Sequence, residues 1–312
     1  MKNSRAYRGA VAAAAAVLVG VLPALAGPAS AGPALSGPAA PVLLSPGQAD
    51  RPMGLAHAPN ARDIGGYPAK GGSKLATGVV YRSDALAKLG ASDQQKLVSF
   101  NISQVIDFRS PTETGRDPDQ LPAAIRRTEQ PVYDPANDFY LMVARLIQAG
   151  PAAQQEALGG GKAAQIMRDY YGWFVSNPSA RAQFAQAFRD IATAQGAVLY
   201  HCTAGKDRTG WMTAILMSAL DVPKGQIYSD FLDSNDNLAA GNKALLDGLV
   251  AQGLVTDRAL WEPILGVQRD FLDVAFDQVQ TSYGSFDRFL SDGLGVDAAT
   301  LDALRAKLLT KN

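Results

Sequence analysis

Apolar residues along the chain fall into runs of two lengths. Four short ones, at 78–82, 104–108, 125–132 and 197–200, are rich in Val, Ile, Leu, Tyr and Phe, and have the length of strands. Longer stretches place apolar residues three and four positions apart. They predict helices at 92–99, 138–148, 163–175, 179–193, 209–220, 224–232, 239–251, 267–281 and 298–309. Strands separated by helices argue for an α/β fold: a single domain with a mostly parallel central sheet flanked by helices, its ligand at the carboxyl ends of the strands. The stretch 151–162, with Gly159, Gly160 and Gly161, reads as a flexible joint. With the helix before it, this joint is expected to form a movable helical cover over the site.

The start of the chain has a different pattern. Lys2, Arg5 and Arg8 precede an uncharged run from Gly9 to Leu22, followed by Pro23 and small-residue sites at Ala24-Leu25-Ala26 and Ala29-Ser30-Ala31. These are the three parts of a secretory signal, so residues 1–31 are expected to be removed after Ala26 or Ala31 and the protein secreted or extracytoplasmic. The run approaches membrane-spanning length but is mostly alanine and valine, which makes it a poor anchor. No twin arginine precedes it, in keeping with the general secretory route. Residues 32–50, rich in Gly, Pro, Ala and Ser, read as a disordered leader, leaving 51–312 as the folded domain.

Charge narrows the partners. The chain carries 29 basic and 29 acidic residues; loss of the signal removes three cations and no acids, leaving 26 against 29, a formal −3. That argues against nucleic acid and against a broadly basic membrane-binding face. Two distant histidines and one cysteine cannot build a zinc site. The Gly-Lys pairs ending at Lys162 and Lys206 are followed by Ala163 and Asp207, so neither completes a nucleotide-binding loop. Nothing in the composition bears on oligomeric state.

The lone cysteine opens the chemistry. Cys202 lies in His201-Cys202-Thr203-Ala204-Gly205-Lys206-Asp207-Arg208-Thr209-Gly210, between a short apolar strand and a helix. In a strand-loop-helix turn, the loop amides of Thr203, Ala204, Gly205 and Lys206 and the free N–H groups of the first helical turn converge on an anion, and the helix dipole favours negative charge. The same field favours a thiolate at Cys202. Arg208 supplies a planar fork for two phosphate oxygens. A phosphate monoester bound there is open to in-line attack by Cys202, with Thr209 placed to hydrogen-bond the sulfur when it leaves. His201 reads as a neutral ring bracing the loop, since an ionised thiol needs no base.

The Cys-x5-Arg-Thr loop resembles the signature of the protein tyrosine phosphatase superfamily, and its flanks resemble a bacterial tyrosine phosphatase group. Further matches run in order through the chain: Asn60-Ala61-Arg62-Asp63-Ile64-Gly65-Gly66, Tyr81-Arg82-Ser83, Val105-Ile106-Asp107-Phe108-Arg109-Ser110, Asp230-Phe231-Leu232-Asp233-Ser234-Asn235-Asp236, and Tyr283-Gly284-Ser285. The resemblance implies a tyrosine-phosphatase-like fold and a cofactor-free, metal-free enzyme working through a phosphocysteine. Phosphotyrosine is the implied substrate, with phosphoserine, phosphothreonine and phosphoinositides also open. The Ala204-Gly205-Lys206 piece is similar to the loop of phosphoinositide 3-phosphatases, which gives Lys206 a role in substrate contact. A phytase-like enzyme acting on soluble inositol phosphates, a non-catalytic module binding phosphorylated ligands, and a sulfur-transfer or arsenate-reducing enzyme are the alternatives. The chain lacks a Trp-Pro-Asp loop, so two aspartates compete as proton donor. Asp134, in Pro131-Val132-Tyr133-Asp134-Pro135, resembles a Pro- and Asp-bearing turn of the bacterial group and is preferred as acid. Asp207 is preferred as a carboxylate organising the loop. Arg62 and Asp63 read as a turn held by a local ion pair, and Asp107 and Arg109 as braces at a strand end.

Overall fold

The four predicted strands are neighbours in one six-stranded sheet, the one expected at 125–132 lying at its edge. A computed structural model describes residues 51–311; the expected signal and leader, residues 1–50, lie outside them. The strands are β1 (Arg51–Pro52), β2 (Arg62–Asp63), β3 (Ser73–Leu75), β4 (Val80–Ser83), β5 (Ile102–Asp107), β6 (Arg126–Glu129), β7 (Ala197–His201) and β8 (Leu309–Lys311). The large sheet runs β1-β2-β4-β7-β5-β6, and β3 pairs with β8 in a small ribbon. β4, β7, β5 and β6 are mutually parallel, whereas β2 joins β4, and β1 joins β2, antiparallel. Parallel strands buried on both faces read as continuous apolar runs, which is why β7 is buried at every residue. β1, β2, β3 and β8 have only two or three residues each, too few for alternation to show.

The helices are α1 (Ala91–Ser99), α2 (Pro111–Arg116), α3 (Phe139–Leu158), α4 (Lys162–Ser176), α5 (Pro178–Thr193), α6 (Arg208–Ala219), α7 (Lys224–Ala251), α8 (Glu262–Leu265), α9 (Arg269–Tyr283), α10 (Phe286–Arg288) and α11 (Ala298–Leu308). Their apolar faces and one face of the sheet close a large core, while Leu86, Leu97, Val105 and Leu199 belong to a smaller one. α6 is apolar on all sides, and every residue in it except Ser218 is buried. Such a helix belongs inside the core and is held from all directions.

Two expectations are corrected. Residues 151–158 are helical, not a flexible joint: Pro151 begins a new helical segment after Gly150, whose φ of 82° and ψ of 176° break α3. Proline is tolerated at a first helical position, and the alanine, glutamine, glutamate and leucine that follow are strong helix formers. The turn is confined to Gly159, Gly160 and Gly161, the last two at positive φ. The helices expected at 224–232 and 239–251 are one helix, α7, because its polar middle is held by tertiary contacts. Asp230 meets two arginines, and the Asn235 amide pairs with both backbone groups of Val267.

Candidate active site

β7 delivers Cys202 to the carboxyl end of the sheet, between two parallel neighbours. Ser83 and Asp107 lie level with His201 on either side, so the residues after β4 and β5 flank the loop. The thiol is buried, 2% exposed. Four consecutive loop carbonyls are engaged. Cys202 O meets His201 Nδ1 at 3.2 Å, Thr203 O accepts from Ala85 N at 3.0 Å, Ala204 O from Asn60 Nδ2 at 2.9 Å, and Gly205 O from Arg82 Nη2 at 2.7 Å and Asn60 Nδ2 at 3.1 Å. In a trans peptide the N–H points opposite to the carbonyl. The amides of Thr203, Ala204, Gly205 and Lys206 are thus turned the other way, and among the described residues none has an acceptor. Gly205 makes the turn possible: its φ is +65°, and a Cβ there would lie 2.4 Å from Ser83 O.

Arg208 begins α6 and is held in a fork by Glu113, at 2.8 Å (Nη1–Oε2) and 2.7 Å (Nη2–Oε1), with Phe108 O accepting a further bond from Nη1. Of its five N–H donors, Nε–H and one on Nη2 have no acceptor among the described residues, and these form the other two-pronged edge. Burial works against the Glu113 carboxylate, but the Arg208 charge outweighs it and holds the group below the usual range. Glu113 sits where it does because Ser110-Pro111-Thr112-Glu113 forms a capping box: Ser110 Oγ accepts from Glu113 N, and Glu113 Oε2 accepts from Ser110 N. The Thr203 hydroxyl also donates to Glu113.

Beneath the loop, Asp230 is shared by Arg62 and Arg82, all three at most 1% exposed. Burial would raise the Asp230 carboxyl, yet the two guanidiniums hold it below its ordinary value. Arg62 therefore reaches α7 and does not pair with Asp63, which accepts from Gly65 N and Gly78 N. His201 also departs from expectation. Its Nε2 lies 3.1 Å from Asp119 and 3.8 Å from Asp107, and although burial lowers its affinity for a proton, these two carboxylates raise it above the ordinary value. Arg109 and Arg127 hold the same carboxylates, so Asp107, Asp119 and His201 form an ion-pair network in which a cation would compete with two guanidiniums.

Lys206 and Asp207 bind each other and the scaffold. Lys206 Nζ contacts Asp207 at 2.9 Å and donates to Gly266 O, and Asp207 accepts from Tyr171. Lys206 is 3% exposed, and neither it nor Asp207 is on the wall of the cavity beside Arg208. Thr209 Oγ1 is buried without a hydrogen-bond partner among the described residues.

A cavity of about 620 Å³ opens over Arg208 and Glu113, walled by α3, α4 and the segment before α3. Its apolar side is aromatic: Tyr170 stacks on Phe139 at 4.8 Å and on Trp173 at 5.9 Å, with Tyr133 and Tyr140 nearby. Asp134 stands on this wall, accepting from Ala136 N and Asn137 Nδ2, bonds that hold its carboxyl below the usual value. Asp138 caps α3 through Oδ1, while its Oδ2 is buried without a partner among the described residues. The structure thus brings Arg208 and Asp134 to one cavity, whose wall includes none of Cys202, Lys206 and Asp207.

The pattern of the tyrosine phosphatase family matches residues 53–310, nearly the whole described chain. This chain belongs to that family. A Cupriavidus necator protein provisionally named a tyrosine-protein phosphatase is 33% identical over 245 residues, covering 78% of this chain and 84% of that one. The triple specificity protein phosphatase PtpB of Mycobacterium tuberculosis is 27% identical over 277 residues, 82% of this chain and 98% of the relative. A tyrosine-protein phosphatase of Nostoc commune is 30% identical over a shorter stretch, 48% of this chain and 46% of the other. The chain is accordingly a phosphatase, with phosphorylated substrates. Glu113, Asp119 and the aromatic wall flank this loop and cavity although no sequence motif singles them out, whereas Asn60 opens one of the matched segments, with no role read from it. Among the former, only Glu113 has a local signal, its capping box.

Proposed function

We propose that this phosphatase hydrolyses aryl phosphate monoesters, phosphotyrosine first among them, through a phosphocysteine at Cys202. The observation that carries this reading is the loop itself: four amides turned away from their tethered carbonyls, beside an arginine whose free edge meets an aromatic-walled cavity. In the first step Cys202 Sγ bonds to phosphorus as the bond to the leaving oxygen breaks, and the charge on the three equatorial oxygens is met by loop amides and Arg208. Asp134 is the favoured donor of the proton to the leaving oxygen. An incoming phosphate dianion raises its pKa by like-charge repulsion, offsetting the bonds that lower it in the empty enzyme. Water then bonds to phosphorus, passing a proton to the Asp134 carboxylate as the phosphorus–sulfur bond breaks and frees the thiolate, with Thr209 Oγ1 available to the sulfur.

The cavity favours a singly phosphorylated aryl group over an inositol polyphosphate. Four carboxylates (Glu113, Asp134, Asp138, Asp169) face two guanidiniums (Arg145, Arg208), and Lys206 is engaged elsewhere. Further phosphates would meet a wall on which carboxylates outnumber cations, with Arg145 the one guanidinium besides Arg208. Export directed by residues 1–31 belongs to the same reading, and a mature N-terminus at residue 27 or 32 in the culture medium supports it. The decisive experiment measures phosphate release from a phosphotyrosyl peptide, p-nitrophenyl phosphate, a phosphoinositide and inositol hexakisphosphate. Expected are turnover on the first two, loss of at least about 10³-fold in Cys202→Ser, and no effect of chelators. Full turnover in Cys202→Ser overturns the mechanism; preference for inositol hexakisphosphate overturns the substrate class.

A further inference from the structure

We infer that Asn60 is a positioning residue for phosphoryl transfer: its amide sets the peptide planes that aim the Gly205 and Lys206 N–H groups at the phosphoryl oxygens. The inference rests on the function proposed above and adds a role for a residue that lies 142 positions before the nucleophile.

Asn60 is 0% exposed, and both halves of its amide are committed. Nδ2 donates to Ala204 O at 2.9 Å and to Gly205 O at 3.1 Å. Oδ1 accepts from Arg62 Nη1 at 2.6 Å, and Arg62 is itself fixed by Asp230. This fixes which end of the amide faces the loop, since the reverse orientation would set an oxygen against two carbonyls and an NH₂ against a guanidinium. The carbonyl of Ala204 shares a rigid plane with the N–H of Gly205, and the carbonyl of Gly205 with the N–H of Lys206. One side-chain nitrogen behind the loop therefore orients two donors in front of it. Arg82 Nη2 reinforces the second plane at 2.7 Å.

The planes need such a tether because Gly205 has no side chain to resist rotation, and its φ of +65° lies in a region glycine leaves readily. Peptide planes free to rotate would have to be ordered during the reaction, and donors are most effective when they are fixed beforehand. The chain Asp230–Arg62–Asn60–Gly205 thus connects α7 to the cradle without any of its side chains touching substrate.

The test uses Asn60→Ala, Asn60→Ser and Asn60→Asp in the full chain, with kcat and KM for p-nitrophenyl phosphate and inhibition constants for vanadate and inorganic phosphate. Active-site content is fixed by thiol titration, and folding by thermal melts. In all three variants the Asn60 backbone N–H keeps its bond to Asp84 Oδ1. Expected is a fall in kcat of roughly 10- to 100-fold per active site, largest in Asn60→Asp, where the new oxygen repels both carbonyls. Affinity for vanadate, which mimics the five-coordinate phosphorus, should fall by a similar factor, and affinity for phosphate by much less. Lower melting temperatures with kcat per thiol and vanadate affinity unchanged would overturn the inference and make Asn60 a packing residue. If Cys202→Ser keeps turnover, the parent reading fails instead. If Asn60→Asp does not fold, the alanine and serine variants distinguish the same two outcomes.

Discussion

Glu113 and Asp84 show how single carboxylates beside the loop serve opposite ends. Glu113 occupies one edge of Arg208, and in the proposed reaction the other edge takes the phosphate. Glu113→Gln keeps the shape but replaces one acceptor by an NH₂ facing the guanidinium. A displacement of about 1 Å at a positioning group costs roughly 10²-fold, so kcat/KM for p-nitrophenyl phosphate should fall by about that factor, with Arg208→Lys at least as damaging. Asp84, buried after β4, has its carboxyl pushed up from 3.8 to about 7, chiefly by burial, against the bonds it accepts from Asn60 N and Ser83 Oγ. Because folding raises this pKa, the unfolded chain gives up the proton first. The contribution to stability is complete below pH 3.8 and is lost as pH rises through about 7. Asp84→Asn removes that loss. Its melting temperature relative to wild type should climb between pH 5 and pH 8, and a difference that does not vary with pH would count against a neutral Asp84 in the native state.

At the scale of elements, the sequence is most legible where pattern and local chemistry agree. β4, β5, β6 and β7 and most helices fall within a few residues of their apolar runs, and the Cys202 loop stands in the strand-to-helix position its flanks imply. Short edge strands are not legible, since Arg62 and Asp63 pair with β4 through backbone bonds that need no apolar pattern. Nor is the continuity of α7, whose polar middle meets residues that the fold brings from β2, β4 and the segment before α9. The break in α3 falls at Gly150, ahead of the conspicuous Gly159-Gly160-Gly161 run, because one glycine in the right conformation is enough to interrupt a helix. Gly150 has a backbone conformation that is nearly exclusive to glycine, although a methyl group there would meet nothing within 4 Å. Gly150→Ala should therefore cost about 1–3 kcal/mol through strain alone. Calorimetry of the variant, beside Gly160→Ala as a second open positive-φ site, checks whether the break is a fixed corner of the cavity wall.

The whole molecule divides the site between parts of unequal firmness. Cys202, Arg208 and Thr209 are carried by β7 and α6, at the centre of the sheet and inside the core, where exchange of backbone hydrogens requires most of the domain to open. The cavity wall is peripheral: α3 is broken at Gly150, joined to α4 through a three-glycine turn, and preceded by the partly exposed segment that holds Asp134. One face of the wall is anchored, with Val143, Ile147 and Leu158 of α3 in the large core and Gln154 bonded to Leu254 O and Trp261, whereas polar ties beside the cavity are few. Tyr171 reaches Asp207 from α4, Arg116 reaches Tyr140 on α3, and the Phe139–Tyr170 stack joins α3 to α4. Such a wall can open without disturbing the loop, and an occupied cavity should close it, because phosphate would add contacts to residues on both sides. Hydrogen exchange followed by mass spectrometry should show α6 and β7 as the slowest segments, and residues 133–158 opening locally at lower cost. Vanadate should slow exchange across 133–158 several-fold while changing α6 little. Equal exchange there with and without vanadate would mean that the wall is rigid, and that access to Cys202 is governed by the loop alone.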